Sequence, residues 1–396
     1  MDNQLSISLF EKLDRENVDY AVLRNYKTLP ESLGGSDIDI WVSDKDAKLF
    51  FKILETAAKE QDAHLVSYLY DAPWTKVCYM NKNNGIQIDL YSGCIPYQNT
   101  HMIEGKVIHE HTIRYKNLRV LDDRLANLIA FVKEIIHNGK CGDKYIRPLY
   151  DNAELYSPDY VQSVLTWFSP RFSVMLSENI RKRQLDQKFE ELKVLGRTSL
   201  KSRHVLWHKI KKVTRLLNKP GYVIVMAGVN DYGNAAVVQA LKPILDDAFH
   251  NGVFIKSIPP TAKSCRNNKP VIQWFSCAKA YISGYIKMYR IIATGSKICI
   301  FECTFNEDQL RQKPLSRWIV KLGNCILPKP DLVLLATPHM DMTNETGDDS
   351  VSKRRVSKRK NTVLIDATLS QEDYISLVKE SILEVMSKRF KHINFE

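Results

Sequence analysis

A chain of 396 residues, 44% hydrophobic and 26% charged, has the make-up of a globular protein with room for two cores, which excludes wholesale disorder. No apolar run approaches a membrane span, residues 1–17 lack the basic-then-apolar order of a secretory leader, and eight scattered cysteines (78, 94, 141, 265, 277, 299, 303 and 325) without a CxxC argue against a zinc finger. The formal charge of +12 calls for an anionic partner, and free thiols suit a reducing cytoplasm, so a cytoplasmic protein is expected.

Residues 4–16 read as an amphipathic helix with Leu9, Phe10 and Leu13 on one stripe, residues 20–24 as a short strand and residues 25–36 as a loop. Residues 34–42, Gly-Gly-Ser-Asp-Ile-Asp-Ile-Trp-Val, carry the densest chemical signal. In a strand over 37–42, Asp37 and Asp39 point to one face while Ile38 and Ile40 point to the other. Like charges about 6–7 Å apart repel unless a cation sits between them. Oxygen ligands favour Mg²⁺ or Mn²⁺. Gly34, Gly35 and Ser36, just before the strand, let the backbone come close to a ligand. Ser43 is a fitting N-cap for the next helix, in which Ala47, Phe50, Phe51, Leu54, Ala57 and Ala58 recur at helical spacing.

Residues 63–70, 75–81 and 85–91 read as strands of a meander, broken by Pro73 and by Asn83-Asn84-Gly85. In the last of them Ile86, Ile88 and Leu90 share one face, and Gln87 and Asp89 share the other. Beside the first strand in one sheet, Asp89 joins Asp37 and Asp39. Three carboxylates of this kind hold two divalent ions where phosphoryl or nucleotidyl groups are moved.

A DxD at the start of a strand with a third Asp on a later strand resembles the polymerase-beta-type nucleotidyltransferase superfamily. Residues 20–42, YAVLRNYKTLPESLGGSDIDIWV, are similar to its small bacterial members encoded with surface-polysaccharide genes. The resemblance covers about the first 150 residues. It implies a mixed sheet with helices, Mg²⁺ (or Mn²⁺) on Asp37, Asp39 and Asp89, and a nucleotide donor. The chain departs from the family where a Gly-Gly or Gly-Ser pair, about ten residues before the DxD, cradles the triphosphate: the corresponding stretch is Leu23-Arg24-Asn25-Tyr26. The candidate nucleotide contacts are Arg24, Gly34, Gly35, Ser36 and Lys144.

Residues 122–139 read as a further helix closed by Asn138-Gly139. Residues 141–145, Cys-Gly-Asp-Lys-Tyr, offer Lys144 to a phosphate, against the plainer reading of a helix start with solvated charges. His101, His109, His111 and His137 lack metal-ligand spacing and read as ordinary histidines. Residues 193–219 hold nine Lys and Arg and no acid, with Leu206, Ile210, Val213 and Leu217 at helical spacing. This is a basic linker helix, packed on one domain or laid on an anionic membrane or phosphate-rich polymer.

A second domain is expected from residue 220. A buried-strand run, 222–227, leads into Gly228-Val-Asn-Asp-Tyr-Gly233-Asn-Ala-Ala236, the strand–GxxxxG–helix frame of a P-loop. Asn234 stands where the phosphate-reaching lysine belongs and Ala235 where the Mg²⁺-holding hydroxyl belongs. A helix over 271–293, strands over 297–301, 332–336 and 362–365 and a helix over 371–389 complete a plan that resembles thymidylate kinase over 221–390, with PKPDLVLLATP and VLIDATLS as its landmarks. Glu302-Cys303 replaces that family's Asp-Arg, and residues 341–359, with Lys353-Arg-Arg355 and Lys358-Arg-Lys360, occupy the place of its lid.

The expected architecture is thus α/β and α+β in two domains. Residues 1–192 form a nucleotidyltransferase-like domain, 193–219 a linker helix, and 220–396 a degenerate kinase-like parallel-sheet domain. The expected function is Mg²⁺-dependent transfer of a nucleotidyl or substituted-phosphate group from a nucleotide donor to a hydroxyl or phosphate of a glycan or sugar-phosphate acceptor, in surface-polysaccharide (capsule or lipopolysaccharide) biosynthesis. The linker helix would give peripheral contact with the inner face of the membrane. Two alternatives stay open: a nucleic-acid-modifying or toxin-type nucleotidyltransferase, and a kinase run by the second domain.

Overall fold

The computed structural model describes residues 3–71, 73–97, 100–139, 141–200, 220–227, 233–257, 292, 297–303, 330–337, 354–356, 361–393 and 395. The protein is mixed α/β, with one mixed and one mostly parallel sheet, each with its own helices. The first unit runs α1 (Gln4–Arg15), β1 (Tyr20–Val22), β2 (Ile38–Val42), α2 (Ala47–Glu60), β3 (His64–Asp71), β4 (Trp74–Met80), β5 (Gly85–Ser92), β6 (Cys94–Tyr97), β7 (Thr100–Glu104), α3 (Gly105–Glu110), β8 (Thr112–Tyr115) and β9 (Leu118–Leu121). A helical stretch follows: α4 (Asp123–Lys133), α5 (Asp143–Asp151), α6 (Pro158–Val164), α7 (Pro170–Arg181) and α8 (Phe189–Ser199). The second unit holds β10 (Tyr222–Ala227), α9 (Gly233–Ala248), β11 (Val253–Ser257), β12 (Ile298–Cys303), β13 (Leu332–Thr337), β14 (Arg354–Val356), β15 (Thr362–Asp366) and α10 (Gln371–Arg389).

The first sheet has the order β3-β4-β5-β2-β1-β9-β8. Strand alternation divides its two faces. Ile38, Ile40, Ile86, Ile88 and Leu90 pack with Leu5, Leu9 and Leu13 of α1 and Phe50, Leu54 and Ala57 of α2. On the opposite face Ala21, Leu23, Trp41 and Tyr91 pack with α4 to α8 through Leu125, Leu128, Phe131, Phe172 and Leu176. Further along that second face the cover changes. Val66, Cys78 and Met80 share a core with Val237, Leu241 and Leu245 of α9 and Val378 and Ile382 of α10. The second unit therefore completes the burial of the first sheet. Gly85 marks the closest approach, since a Cβ there would lie 2.7 Å from both Ala248 N and Ile244 O. Tyr222, at the start of β10, has its hydroxyl 2.7 Å from Val66 O and 3.2 Å from Met386 O.

The second sheet has the order β11-β12-β10-β13-β15-β14, parallel except for the antiparallel edge pair β14–β15. Its central strands β10, β12 and β13 are largely apolar runs.

Local departures from the sequence reading have physical causes. Ser43 does not cap an α-helix. It opens a 3-10 turn, Asp44–Asp46, and its hydroxyl donates to Asp46 Oδ2 at 3.0 Å; α2 begins at Ala47. The helix expected over 122–139 is α-helical only to Lys133 and widens into a π-helical turn, Glu134–Asn138, closed by Gly139 in the left-handed region (φ 65°). Of the linker helix, residues 193–199 belong to α8, and 201–219 lie outside the described residues. Residues 228–232, most of the helix at 271–293, and the 341–359 segment apart from 354–356 also lie outside them.

Candidate active site

Asp37, Asp39 and Asp89 lie on one face of the first sheet, the face covered by the helical stretch and the second unit. β2 and β5 are parallel neighbours, and their register sets Asp39 directly opposite Asp89. Asp37 lies two residues earlier on the same face, just before β2 begins. Alternation places these acids here, because every intervening residue is needed by the core beneath.

Each acid has a basic neighbour from a different element. Arg24, just after β1, donates through Nε to Asp39 Oδ2, and its Nη2 lies 3.6 Å from Asp37 Oδ1. Lys133, the last residue of α4, donates to Asp39 Oδ1 at 3.3 Å and to the Tyr91 hydroxyl at 3.1 Å. Tyr91 donates its own proton to Asp39 Oδ1 at 3.2 Å. Lys76, opposite Asp89 on β4, places Nζ 3.1 Å from Asp89 Oδ1. Gln87 Nε2 donates to Asp37 Oδ2 at 3.4 Å, while the buried Gln87 Oε1 has no hydrogen-bond partner among the described residues.

The carboxylates differ in acidity for physical reasons. Burial opposes ionisation of Asp39, which is only 1% exposed, but the Lys133 ammonium and the Arg24 guanidinium outweigh it and hold the carboxyl at about 2. Burial raises Asp89 to about 6; Lys76 opposes this rise, and the negative charges of Asp39 and Asp37 add to it. The site thus stores repulsion at Asp89 that an added cation would relieve.

Asp39 and Asp89 open onto a cavity of about 370 Å³ between β4, β5 and α4. Leu23, Arg24, Tyr91 and Lys133 line it with them, as do Asp71, Trp74 and the π-helical turn, through Glu134, His137 and Asn138.

The five expected nucleotide contacts fare differently. Arg24 reaches the cavity but is paired with the acids. Gly34 and Gly35 take left-handed conformations (φ 59° and 70°) in the loop before β2 and do not line the cavity. Ser36 Oγ accepts from Asn25 Nδ2 at 2.9 Å and donates to Asp37 Oδ1 at 3.4 Å, bracing the loop. Lys144 sits in the first turn of α5, the helix start of its plainer reading, with its ammonium 4.7 Å from the Tyr145 ring centre and outside the cavity lining. Of the histidines, His137 lines the cavity, and His109 and His111 pair with Asp19 and Asp122.

Lys76, Lys133 and Tyr91 were not singled out in the sequence. Lys76 and Tyr91 carried a usable signal, since each falls on the acids' face once β4, β5 and their register are assigned. Lys133 carried none, because its contact depends on how α4 packs.

The hard oxygen chemistry of Asp37, Asp39, Asp89 and Gln87 Oε1 fits a divalent cation of the Mg²⁺ class. The side chains as placed turn toward Arg24, Lys76 and Lys133, and among the described residues no group of three His, Cys, Asp or Glu converges as a metal centre. A cation would therefore have to exchange with these basic side chains. No protein-family model matches the chain, and a search of curated proteins returns no match.

Proposed function

We propose that the protein is a divalent-cation-dependent transferase of the polymerase-beta nucleotidyltransferase type, moving a nucleotidyl or substituted-phosphate group from a nucleotide donor to a hydroxyl or phosphate acceptor. The observation that carries this reading is the in-register pairing of Asp39 with Asp89 on adjacent parallel strands at the wall of a cavity, with Asp37 two residues before Asp39 on the same face. Asp37, Asp39 and Asp89 would hold the cation, which when bound neutralises phosphate charge and polarises the phosphoryl oxygens.

The chain's own groups supply the rest. Arg24 and Lys133 stand beside Asp39, within reach of a phosphate that enters the cavity, and give it fixed positive charge. Asp89, beside Asp39 at the cavity wall, would complete the cation site and orient or deprotonate the acceptor hydroxyl. Tyr91 and Lys133 hold Asp39 ionised and oriented.

The second unit is read as a thymidylate-kinase-like domain without kinase chemistry. Its mostly parallel sheet and the Asn234-Ala235 replacement in the sequence support that reading. The use of α9 and α10 to cover the first sheet supports a scaffolding role.

The test is transfer of labelled phosphate from a panel of nucleoside triphosphates and nucleotide-activated donors, with Mg²⁺ or Mn²⁺, to sugar, sugar-phosphate and RNA acceptors. Activity should fall at least 100-fold in Asp37→Asn and in Asp89→Asn. Unchanged activity in both variants would remove these residues from the mechanism, and transfer to RNA alone would favour the nucleic-acid-modifying alternative.

A further inference from the structure

One wall of the cavity, directly following Lys133, is a π-helical turn, a form of helix frequent at functional sites. It brings Glu134, His137 and Asn138 to the cavity from a single turn. Asn138 Nδ2 donates to Glu134 Oε2 at 2.7 Å, which fixes the carboxylate and leaves Glu134 Oε1 and the Asn138 carbonyl to accept from a ligand. Asp71 and the Trp74 ring face them from the sheet side. An indole beside a carboxylate, an amide and an imidazole suits a ligand with an apolar ring face and adjacent hydroxyls, because two neighbouring hydroxyls can donate to Glu134 Oε1 and to the Asn138 side-chain carbonyl.

A cationic headgroup fits less well. The Lys76 ammonium already lies 6.0 Å from the Trp74 ring centre and the Lys133 ammonium 5.0 Å from that of Tyr91, so the aromatic faces carry cations of the protein's own. Those same lysines, with Arg24, make the cavity beside Asp39 and Asp89 attractive to a phosphate. The volume of about 370 Å³ lies at the small end of the range for ligand sites, which spans roughly 300–1,000 Å³, and suits one compact molecule rather than a polymer segment.

We infer that the part of the cavity lined by Asp71, Trp74, Glu134, His137 and Asn138 binds the vicinal hydroxyls of a sugar whose phosphate lies toward Arg24 and Lys133. This rests on the transferase reading for its phosphate end. The sugar is a hexose phosphate acting as acceptor or the ribose of the nucleotide donor, and the two share the diol-on-phosphate chemistry.

Binding can be read without turnover. Full-length protein is titrated by calorimetry, without and with Mg²⁺, with glucose 1-phosphate, adenosine monophosphate, glucose and inorganic phosphate. Wild type is compared with Trp74→Leu, Glu134→Gln and His137→Ala, and circular dichroism checks that each variant is folded. The inference expects one of the two sugar phosphates to bind at least tenfold more tightly than inorganic phosphate and to lose about tenfold or more in Trp74→Leu and Glu134→Gln. Loss confined to glucose 1-phosphate assigns an acceptor hexose, and loss confined to adenosine monophosphate assigns the donor ribose. Equal affinity for phosphate and both sugar phosphates, no binding of either sugar phosphate, or folded variants that bind like wild type would overturn it. Asp89→Asn serves as the separating control. If it abolishes neither transfer nor sugar-phosphate binding, the transferase reading fails while the diol site stands.

Discussion

At Asp39 a carboxylate that is 1% exposed survives in the charged form because two cations from different elements and a tyrosine hydroxyl surround it. Asp39→Asn would leave Arg24 and Lys133 beside each other with less compensation. Removing one partner of a buried ion pair costs about 3–5 kcal/mol; the partial exposure of both cations reduces this to roughly 2–4 kcal/mol here. Asp37, more exposed and 3.6 Å from its nearest cation, should cost well under half as much when changed to Asn. Urea denaturation of the two variants measures the difference, and equal losses would contradict the assigned pairing. The pH dependence is opposite for Asp39 and Asp89. The depressed Asp39 carboxyl gives stability that is present above the ordinary carboxylate range and is lost as pH falls toward 2. Asp89, raised to about 6, binds its proton more tightly in the folded protein, so stability falls as pH rises from about 4 to 6. Metal-free protein should therefore become easier to unfold across that window, by an amount on the order of 2 kcal/mol, and Asp89→Asn should flatten the slope. A slope that persists in Asp89→Asn would assign it to another group.

Element by element, the site depends on where α4 begins as much as on where it ends. Asp122 caps α4 by accepting from Leu125 N at 2.8 Å and also pairs with His111 Nδ1 at 2.6 Å, tying the helix to the chain before β8. Lys133 reaches Asp39 from the other end of that helix. Asp122→Ala should cost about 1–2 kcal/mol through the lost cap and loosen the Lys133 contact, read as a lowered unfolding midpoint. An unchanged midpoint would show that the cap contributes nothing. The strands were legible in the sequence because period-two alternation over 37–42 and 85–91 fixes which side chains share a face, and that was enough to gather Asp37, Asp39 and Asp89. The π-helical turn was not legible, since Ile135 and Ile136 continue the apolar pattern of α4 and the extra residue per turn leaves no compositional mark. The sequence did not decide between the two readings of Lys144 either; it lies in the first turn of α5 with its ammonium 4.7 Å from the Tyr145 ring centre.

On the scale of the whole molecule, the two units share a core rather than hang on a linker. The sequence reading placed strands over 63–70 and 75–81 but named no cover for them; for Val66, Cys78 and Met80 it is supplied by α9 and α10. The contact is close enough at Gly85 that Gly85→Ala should push α9 away and cost roughly 1–3 kcal/mol. Calorimetry should show one cooperative transition in the wild type and a lowered or split one in Gly85→Ala; two independent transitions in the wild type would contradict a shared core. That packing backs the sheet face on which the three carboxylates sit, so the central claim is best tested in the full-length chain. The most direct measurement is Mn²⁺ binding followed by electron paramagnetic resonance. The wild type should bind the ion, Asp37→Asn and Asp89→Asn should each weaken binding at least tenfold, and Lys144→Ala should leave it unchanged. A wild type that binds no Mn²⁺ at millimolar concentration, or acid variants that bind it as well as wild type does, would contradict the assignment of these carboxylates to a cation-dependent transfer site.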